Sequence, residues 1–132
     1  VLMTMQEMST AVQYKLPIKI FILNNQYMGM VRQWQELLHE RNYSESYTAA
    51  LPNFVKLAEA YGCVGIQAKR PDELDEKINE MINVNKPVIF DCLVDPMENC
   101  FPMIPSGKPH NQMLLGPEDE KEEVSDEGKT LV

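Results

Sequence analysis

The chain has 132 residues, of which 44% are hydrophobic and 24% are charged, as is typical of a globular protein with one domain and one core. Its formal net charge is -8, which argues against nucleic-acid binding because phosphate affinity is supplied by clustered lysine and arginine. No apolar run approaches the roughly 20 residues of a membrane-spanning helix. We therefore expect neither a nucleic acid nor a membrane as a partner.

The three cysteines, Cys63, Cys92 and Cys100, include no Cys-x-x-Cys pair and leave one thiol over. Their number and spacing indicate a reduced compartment rather than a disulfide framework. The two histidines, His39 and His110, lie far from any paired thiol, so the sequence predicts no zinc site. Since no signal or transit peptide is visible, we expect a cytoplasmic location, or an organellar one if the source is a eukaryote.

Apolar residues at helical spacing predict a first helix over residues 3–14, and Pro17 limits it. The nearly continuous apolar run 18–23 is typical of a strand that is covered on both faces of a parallel sheet. Apolar residues recur at three- and four-residue steps over 29–41, which predicts a second helix. The polar and irregular stretch 42–51 then predicts a connection.

Pro52 stands at a favourable first-turn position for a third helix over residues 53–61. Gly62 follows directly, as is common just past a helix end. The next apolar run, residues 63–68, predicts a second strand.

Pro71 opens a fourth predicted helix, and the apolar run 88–94 predicts a third strand. Strands therefore alternate with helices, which predicts an α/β fold with a parallel, doubly wound sheet. Three strands make a thin sheet for a complete domain of this kind, and the sequence begins at Val1 without an initiator methionine. We therefore expect the chain to be part of a longer protein.

The pattern changes beyond Asp95. Residues 96–116 are rich in proline, glycine and methionine without any period, which predicts an irregular closing segment. Residues 117–132 hold seven acidic residues against two lysines, a net charge of -5, and we expect this acidic tail to be disordered. Residues 1–95 are thus interpreted as the α/β domain.

The first predicted strand runs directly into two asparagines, Asn24 and Asn25. Ligands of open parallel sheets bind beyond the carboxyl ends of the strands, and an asparagine oxygen is a hard ligand suited to Mg²⁺ or Ca²⁺. The backbone carbonyl of Tyr27 would add a second oxygen. Asparagine after a strand is also a common turn former or helix cap, so this feature alone leaves both interpretations open.

The run ILNNQYMGMVRQWQ, residues 22–35, resembles the second half of the thiamine-diphosphate motif, which closes on Asn-Asn. More narrowly, it resembles the large catalytic subunit of the acetohydroxyacid synthase (acetolactate synthase) family, in which L-N-N-Q is followed by G-M-V-x-Q-W. The resemblance extends over residues 1 to about 116. Three further segments also fit: 5–11, 54–62 and 102–107.

The resemblance implies a thiamine-diphosphate enzyme that decarboxylates pyruvate and condenses the product with pyruvate or 2-ketobutyrate, in branched-chain amino-acid biosynthesis. It implies that the Asn25 side chain and the Tyr27 backbone carbonyl bind Mg²⁺, which bridges the diphosphate. It also implies that four residues contact the cofactor: Gln26, Met28, Gly29 and Met30.

By the same resemblance, Trp34 narrows the pocket for the second 2-keto acid and favours 2-ketobutyrate over pyruvate. An indole limits the size of the acceptor sterically. Met30 and Trp34 are four residues apart on one helix face, so a stripe of the hydrophobic core is the other interpretation of this pair. The implied pocket has five residues: Met30, Val31, Trp34, Leu38 and Ser106.

The chain also departs from the family pattern. The motif aspartate that binds the metal would fall just before Val1, and the family's domain with the activating glutamate and its FAD-binding domain have no counterpart here. We therefore assign no catalytic residue to this chain and expect it to be inactive alone. The resemblance implies four kinds of partner: 2-keto acids, the rest of the catalytic subunit, further copies in a homo-oligomer, and a regulatory subunit.

Two alternatives to acetohydroxyacid synthase are kept. One is another thiamine-diphosphate carboligase or decarboxylase. The Gln33-Trp34 dipeptide and the IPSG segment argue against this alternative. The other is a non-catalytic α/β interaction module in which Asn24-Asn25 is only a turn.

Overall fold

A computed structural model of the chain describes residues 1–117. These residues form a parallel sheet and helices, as the sequence predicts. The α-helices are α1 Glu7–Gln13, α2 Gly29–Leu38, α3 Phe54–Tyr61 and α4 Leu74–Asn83, and the strands are β1 Lys19–Asn24, β2 Val64–Ala68 and β3 Val88–Leu93. The predicted acidic tail, apart from its first residue, lies outside the described residues.

The chain packs as two compact units. The first, here called the sheet unit, comprises Val1–Asn25 and Ala50–Pro96. The second, here called the α2 unit, comprises Gln26–Ala49 and the described residues 97–117. The sequence pattern placed residues 1–95 in one domain, whereas the structure groups α2 and its connection with the closing segment.

The three strands are parallel neighbours in the order β1-β3-β2, which confirms the predicted strand pairing. β3 lies in the centre because its residues are buried on both faces, and Phe90 is 0% exposed. Full burial of such a side chain contributes about 1.5–3 kcal/mol to stability. Phe90 also stacks on Phe21 of β1, with ring centroids 4.5 Å apart.

The prediction that the first strand is covered on both faces is wrong for the described residues. Among the strands that the structure describes, β1 is an edge strand that pairs with β3 alone. Within residues 1–117, Phe21 is 38% exposed and Leu23 is 67% exposed, whereas Ile20 and Ile22 pack against the core on the opposite face. A continuous apolar run therefore does not distinguish a central strand from an edge strand.

Hydrophobic residues cover the two faces of the sheet in separate clusters. On the face of α1 and α3 the buried residues are Met8, Ala11, Phe54, Ala58, Cys63 and Ile89. On the face of α4 they are Ile66, Ala68, Met81, Val88, Phe90 and Cys92. Helices thus lie on both faces, as a doubly wound arrangement requires.

The helix ends differ from the sequence prediction by a few residues. α1 is shorter than the predicted 3–14 and stops before Lys15, whose φ is +53°. α3 begins after Asn53, whose side chain accepts a hydrogen bond of 3.0 Å from the Lys56 amide. Pro52 therefore precedes the N-cap rather than occupying the first turn. Gly62 ends α3 with φ of +82°, as predicted.

The helix predicted from Pro71 begins as a 3-10 helix, Pro71–Glu73, which continues into α4. The predicted second helix, 29–41, is also shortened: α2 ends at Leu38, and Glu40 and Arg41 have φ of +54° and +61°. Consecutive left-handed residues cannot continue a right-handed helix.

Candidate functional site

The turn after β1 is fixed by hydrogen bonds at its first residue. Asn24 accepts a bond of 3.1 Å from the Val94 amide through its backbone carbonyl, and its side-chain amide donates to Asp91 Oδ1 at 2.9 Å. Asn25 follows and is half-buried. Gln26 then has φ of +61°, a left-handed conformation that is uncommon for a residue other than glycine.

Within the α2 unit, the segment that leads into α2 is paired with residues 46–48. Tyr27 and Tyr47 form an antiparallel bridge, and the centroids of their rings lie 5.1 Å apart. The Gln26 carbonyl accepts from the Thr48 amide at 2.9 Å and from the Thr48 hydroxyl at 2.6 Å. The backbone on either side of the Tyr27 carbonyl is therefore held in place.

The chemistry of Asn25 and Tyr27 fits a hard divalent cation. An amide side-chain oxygen and a backbone carbonyl are ligands that Mg²⁺ accepts, together with phosphate oxygens and water. Within residues 1–117, no group of three or more His, Cys, Asp or Glu side chains lies together as a metal site. Carboxylate or phosphate ligands would therefore have to come from beyond these two residues.

α2 begins at Gly29, directly after the paired segment. Met28 occupies the N-cap position without a side-chain capping bond, and its carbonyl accepts a bond of 2.9 Å from the Arg32 amide. Met28 and Met30 are 48% and 54% exposed among the described residues. Two methionine side chains are thus available for contact at the start of the helix.

A cavity of about 540 Å³ lies on α2 and the chain that follows it. Its lining brings together three of the predicted pocket residues, Met30, Val31 and Trp34. The other lining residues are Gln35, His39 and Asn42. Three apolar and three polar side chains suit a small molecule with an apolar part and a polar group.

The other two predicted pocket residues do not line this cavity. Leu38 is 9% exposed and belongs to the buried side of α2. Ser106 lies in a turn of the closing segment and is half-buried. The resemblance implied that Leu38 lies beside Trp34, but the two residues are four positions apart and the helix rotates by about 40° over that distance.

His39 is a cavity residue that the sequence interpretation set aside. Its Nε2 atom and the Gln35 Oε1 atom are buried and have no hydrogen-bond partner within residues 1–117. The Gln35 side chain is oriented by the bond of 2.7 Å that its Nε2 donates to the Ser44 carbonyl. Two side chains of the cavity wall thus each carry a buried polar atom without a hydrogen-bond partner among the described residues.

Arg32 is a buried charged residue that sequence reasoning missed. It is 0% exposed, pairs with Glu36 one helical turn later, and donates to the Met97 and Glu98 carbonyls at 3.0 and 3.2 Å. It also donates to Asn99 Oδ1. The i,i+4 arrangement of Arg32 and Glu36 was visible in the sequence, but such pairs are usually solvated.

Asp91 was missed as well. It is 3% exposed in the central strand and accepts from Asn24 on β1 and, at 2.7 Å, from Gln67 Nε2 on β2. The available signal was a lone carboxylate inside the apolar run 88–94, since buried charges require hydrogen-bond partners. Burial raises the pKa of the neighbouring Cys92 thiol, and the Asp91 charge adds to this effect.

No helix within residues 1–117 is both long and apolar enough to cross a lipid bilayer. This finding concerns the described part of the chain alone.

Two curated proteins illustrate the similarity of this chain to known sequences. The chain is 47% identical over 113 residues to the acetolactate synthase large subunit of Cyanidium caldarium, covering 85% of this chain and 19% of that protein. It is 45% identical over 120 residues to the acetolactate synthase large subunit of Haemophilus influenzae, with 90% and 21% covered. The chain thus spans about a fifth of the length of these curated relatives.

A solved structure has a similar fold. The thiamine diphosphate-dependent 4-hydroxybenzoylformate decarboxylase of Rhodococcus jostii RHA1 superposes with a TM-score of 0.62 at 24% identity, over 69% of this chain and 17% of that one. Residues 1–92 match the family model "Thiamine pyrophosphate enzyme, C-terminal TPP binding domain". The chain therefore belongs to the C-terminal TPP-binding domain family of thiamine pyrophosphate enzymes.

Proposed function

We propose that the chain is part of an acetolactate synthase large subunit that condenses pyruvate with pyruvate or 2-ketobutyrate. One observation carries this proposal: 45–47% identity to such subunits over 85–90% of the chain. The cavity on α2 is consistent with it, because a 2-keto acid has a short apolar chain and a polar head. Gln35 and His39 are the polar residues of the wall, and Trp34 limits its size.

We further propose that Asn25 and Tyr27 bind Mg²⁺ and that Gln26, Met28, Gly29 and Met30 contact thiamine diphosphate. The amide oxygen of Asn25 and the carbonyl of Tyr27 are neutral, so they position the cation while the anionic diphosphate balances its charge. When bound, thiamine diphosphate supplies the carbon nucleophile and the electron sink for decarboxylation of a 2-keto acid. FAD binds to a part of the complete subunit outside this chain.

The test uses the complete subunit that carries this chain. Purified with thiamine diphosphate, Mg²⁺ and FAD, it should convert pyruvate to acetolactate. Asn25→Ala should raise the Mg²⁺ concentration for half-maximal activity by about tenfold or more, since one oxygen ligand is lost. Asn79→Ala, on the exposed side of α4, is the matched control and should leave the Mg²⁺ requirement unchanged.

The alternatives give different results in the same assay. Release of an aldehyde without acetolactate would identify another thiamine-diphosphate decarboxylase. Absence of both products, together with no binding of thiamine diphosphate in calorimetry, would favour a non-catalytic interaction module. The 132-residue chain by itself should give no acetolactate, because it spans only about a fifth of the length of the relatives that it matches.

The remaining partners are proposals of the same kind. They are the rest of the catalytic subunit, a homo-oligomer of such subunits and a regulatory subunit. A cytoplasmic location, or an organellar one in a eukaryote, stays a prediction. Light scattering of the purified complete subunit measures the homo-oligomer directly.

A further inference from the structure

The carboxylate of Asp91 connects the three strands of the sheet unit. Each of its oxygens accepts one side-chain amide: Oδ1 from Asn24 on β1 and Oδ2 from Gln67 on β2. Within residues 1–117, no lysine or arginine forms an ion pair with Asp91. A buried carboxylate is thus held by two neutral donors, one on each neighbouring strand.

Stability alone does not explain a carboxylate at this position. Removing a carboxylate from water costs free energy that neutral donors offset only in part. An apolar residue of similar volume is often neutral or stabilising in place of a buried charge, and Ile89, two residues earlier on the same face of β3, is buried in an apolar cluster. Unlike an apolar residue, Asp91 provides two carboxylate oxygens that accept hydrogen bonds from defined directions.

The strand register shows which part of the backbone the carboxylate of Asp91 holds in place. Asp91 is the register partner of Ile22, whereas Asn24 pairs with Leu93. The Asn24 side chain therefore reaches back diagonally by two residues to meet Asp91. At the same time the Val94 amide bonds to the Asn24 carbonyl at 3.1 Å, so that β3 holds Asn24 through both its side chain and its main chain.

We propose that Asp91 is a positioning residue, which holds Asn24 so that the following Asn25 presents its side-chain oxygen to the divalent cation. This inference rests on the metal-binding role proposed for Asn25. A metal ligand has to be held within about 0.5 Å of its working position. Loss of a residue that orients a ligand typically weakens metal binding by about 10–100-fold.

The experiment measures Mn²⁺ binding by electron paramagnetic resonance, on the complete subunit with thiamine diphosphate present. Mn²⁺ replaces Mg²⁺ at oxygen ligands, and the signal of the free ion reports binding without any turnover. Asp91→Leu removes both acceptors and should raise the Kd for Mn²⁺ about tenfold or more. Asn24→Ala removes the other partner of the same bond and should have the same effect.

Two matched variants separate positioning from general destabilisation. Gln67→Leu removes the second bond to the same carboxylate but leaves the Asn24 bond, so the Kd should change by less than about threefold. Asp91→Asn can still accept from Asn24 and should restore most of the affinity that Asp91→Leu loses. A thermal melt of each variant measures stability separately from Mn²⁺ binding, so that a loss of affinity in a variant with an unchanged melting temperature is assigned to positioning.

The inference is overturned if Asp91→Leu weakens Mn²⁺ binding no more than Gln67→Leu does. If Asp91→Leu does not fold, Asn24→Ala decides, and a shift below about threefold overturns the inference. Asn25→Ala in the same assay tests the underlying site. If it leaves the Kd unchanged, the proposed metal site itself fails; if it weakens binding while Asn24→Ala does not, only the positioning role fails.

Discussion

Gln33 and Cys100 are joined by two reciprocal hydrogen bonds. Gln33 Nε2 donates to the Cys100 carbonyl at 3.1 Å, and the Cys100 amide donates to Gln33 Oε1 at 2.7 Å. The side-chain amide of Gln33 thus pairs with the backbone of Cys100 as a peptide group of a neighbouring strand would. Together with the bonds of Arg32 to residues 97–99, this fixes the start of the closing segment on α2, within the α2 unit.

Loss of this pairing should loosen the closing segment. Gln33→Met keeps the volume of the side chain but leaves the amide and carbonyl of Cys100 without their partner, at a cost of about 1–3 kcal/mol. Hydrogen exchange of the amides at 97–103 should become faster. Gln13→Met, at an exposed position in α1, is the control. Unchanged exchange in Gln33→Met would mean that Arg32 alone holds the segment.

Trp34 should determine acceptor preference in the complete enzyme. Trp34→Leu widens the cavity and, under the proposed function, would remove the flat surface against which the extra methylene of 2-ketobutyrate packs. The preference for 2-ketobutyrate over pyruvate should fall about tenfold or more, which corresponds to roughly 1.4 kcal/mol of differential binding. Competition between the two acceptors, with both products quantified, measures it.

Leu37→Ala is the control for this prediction, because Leu37 is half-buried on the same helix and does not line the cavity. It should lower the melting temperature without altering the product ratio. If Trp34→Leu behaves in the same way, the indole acts as a core residue and not as a part of the pocket.

Gly65 should tolerate no side chain, because α3 approaches β2 closely there. A Cβ atom at Gly65 would lie 2.7 Å from both the Cα and the carbonyl oxygen of Val55, and backbone cannot move aside as a side chain can. Gly65→Ala should lower the free energy of unfolding by about 1–3 kcal/mol, measured by urea titration. Gly116→Ala, which meets no atom within 4 Å, should have no comparable effect.

Glu73 should stabilise the chain in a pH-dependent manner. Its hydrogen bond from the Lys77 side chain, followed by that from the Lys69 amide, lowers the pKa of Glu73 from 4.5 to about 2. A carboxyl group with a lowered pKa in the folded state contributes stability that is complete above the unfolded pKa and is lost as the pH falls through the folded value. The contribution should therefore shrink between pH 4.5 and about 2.

Urea titrations of wild type and Glu73→Gln measure this contribution. The difference between their midpoints should be constant at neutral pH and should decline below pH 4.5. Glu76→Gln, an exposed neighbour in α4, should show no such decline. A difference for Glu73→Gln that does not depend on pH would contradict the role of the ionised carboxylate.

The three cysteines should differ in reactivity. Cys100 is exposed, whereas Cys63 and Cys92 are buried, and burial raises the pKa of both buried thiols. Because the thiolate is the reactive form, an aromatic disulfide reagent at neutral pH should modify Cys100 quickly and the other two only after unfolding in urea. Rapid modification that persists in Cys100→Ser would refute this assignment.

Much of the local structure follows from the sequence by itself. The strand pattern of 18–23 and the helix pattern beginning at Gly29 depend on the spacing of apolar residues a few positions apart, which is a local property. The turn between them was visible as Asn24-Asn25. The resemblance also brought together Met30, Val31 and Trp34, which line one cavity because they lie on one face of one helix.

Only the tertiary structure decided which distant residues meet. The order β1-β3-β2 makes β1 an edge strand, although its apolar run looks like that of a central strand. Asn24 and Asp91 are 67 positions apart, and their contact depends on strand order and register, neither of which leaves a periodic signal in the chain. The same holds for Arg32, whose burial depends on where the closing segment returns to α2.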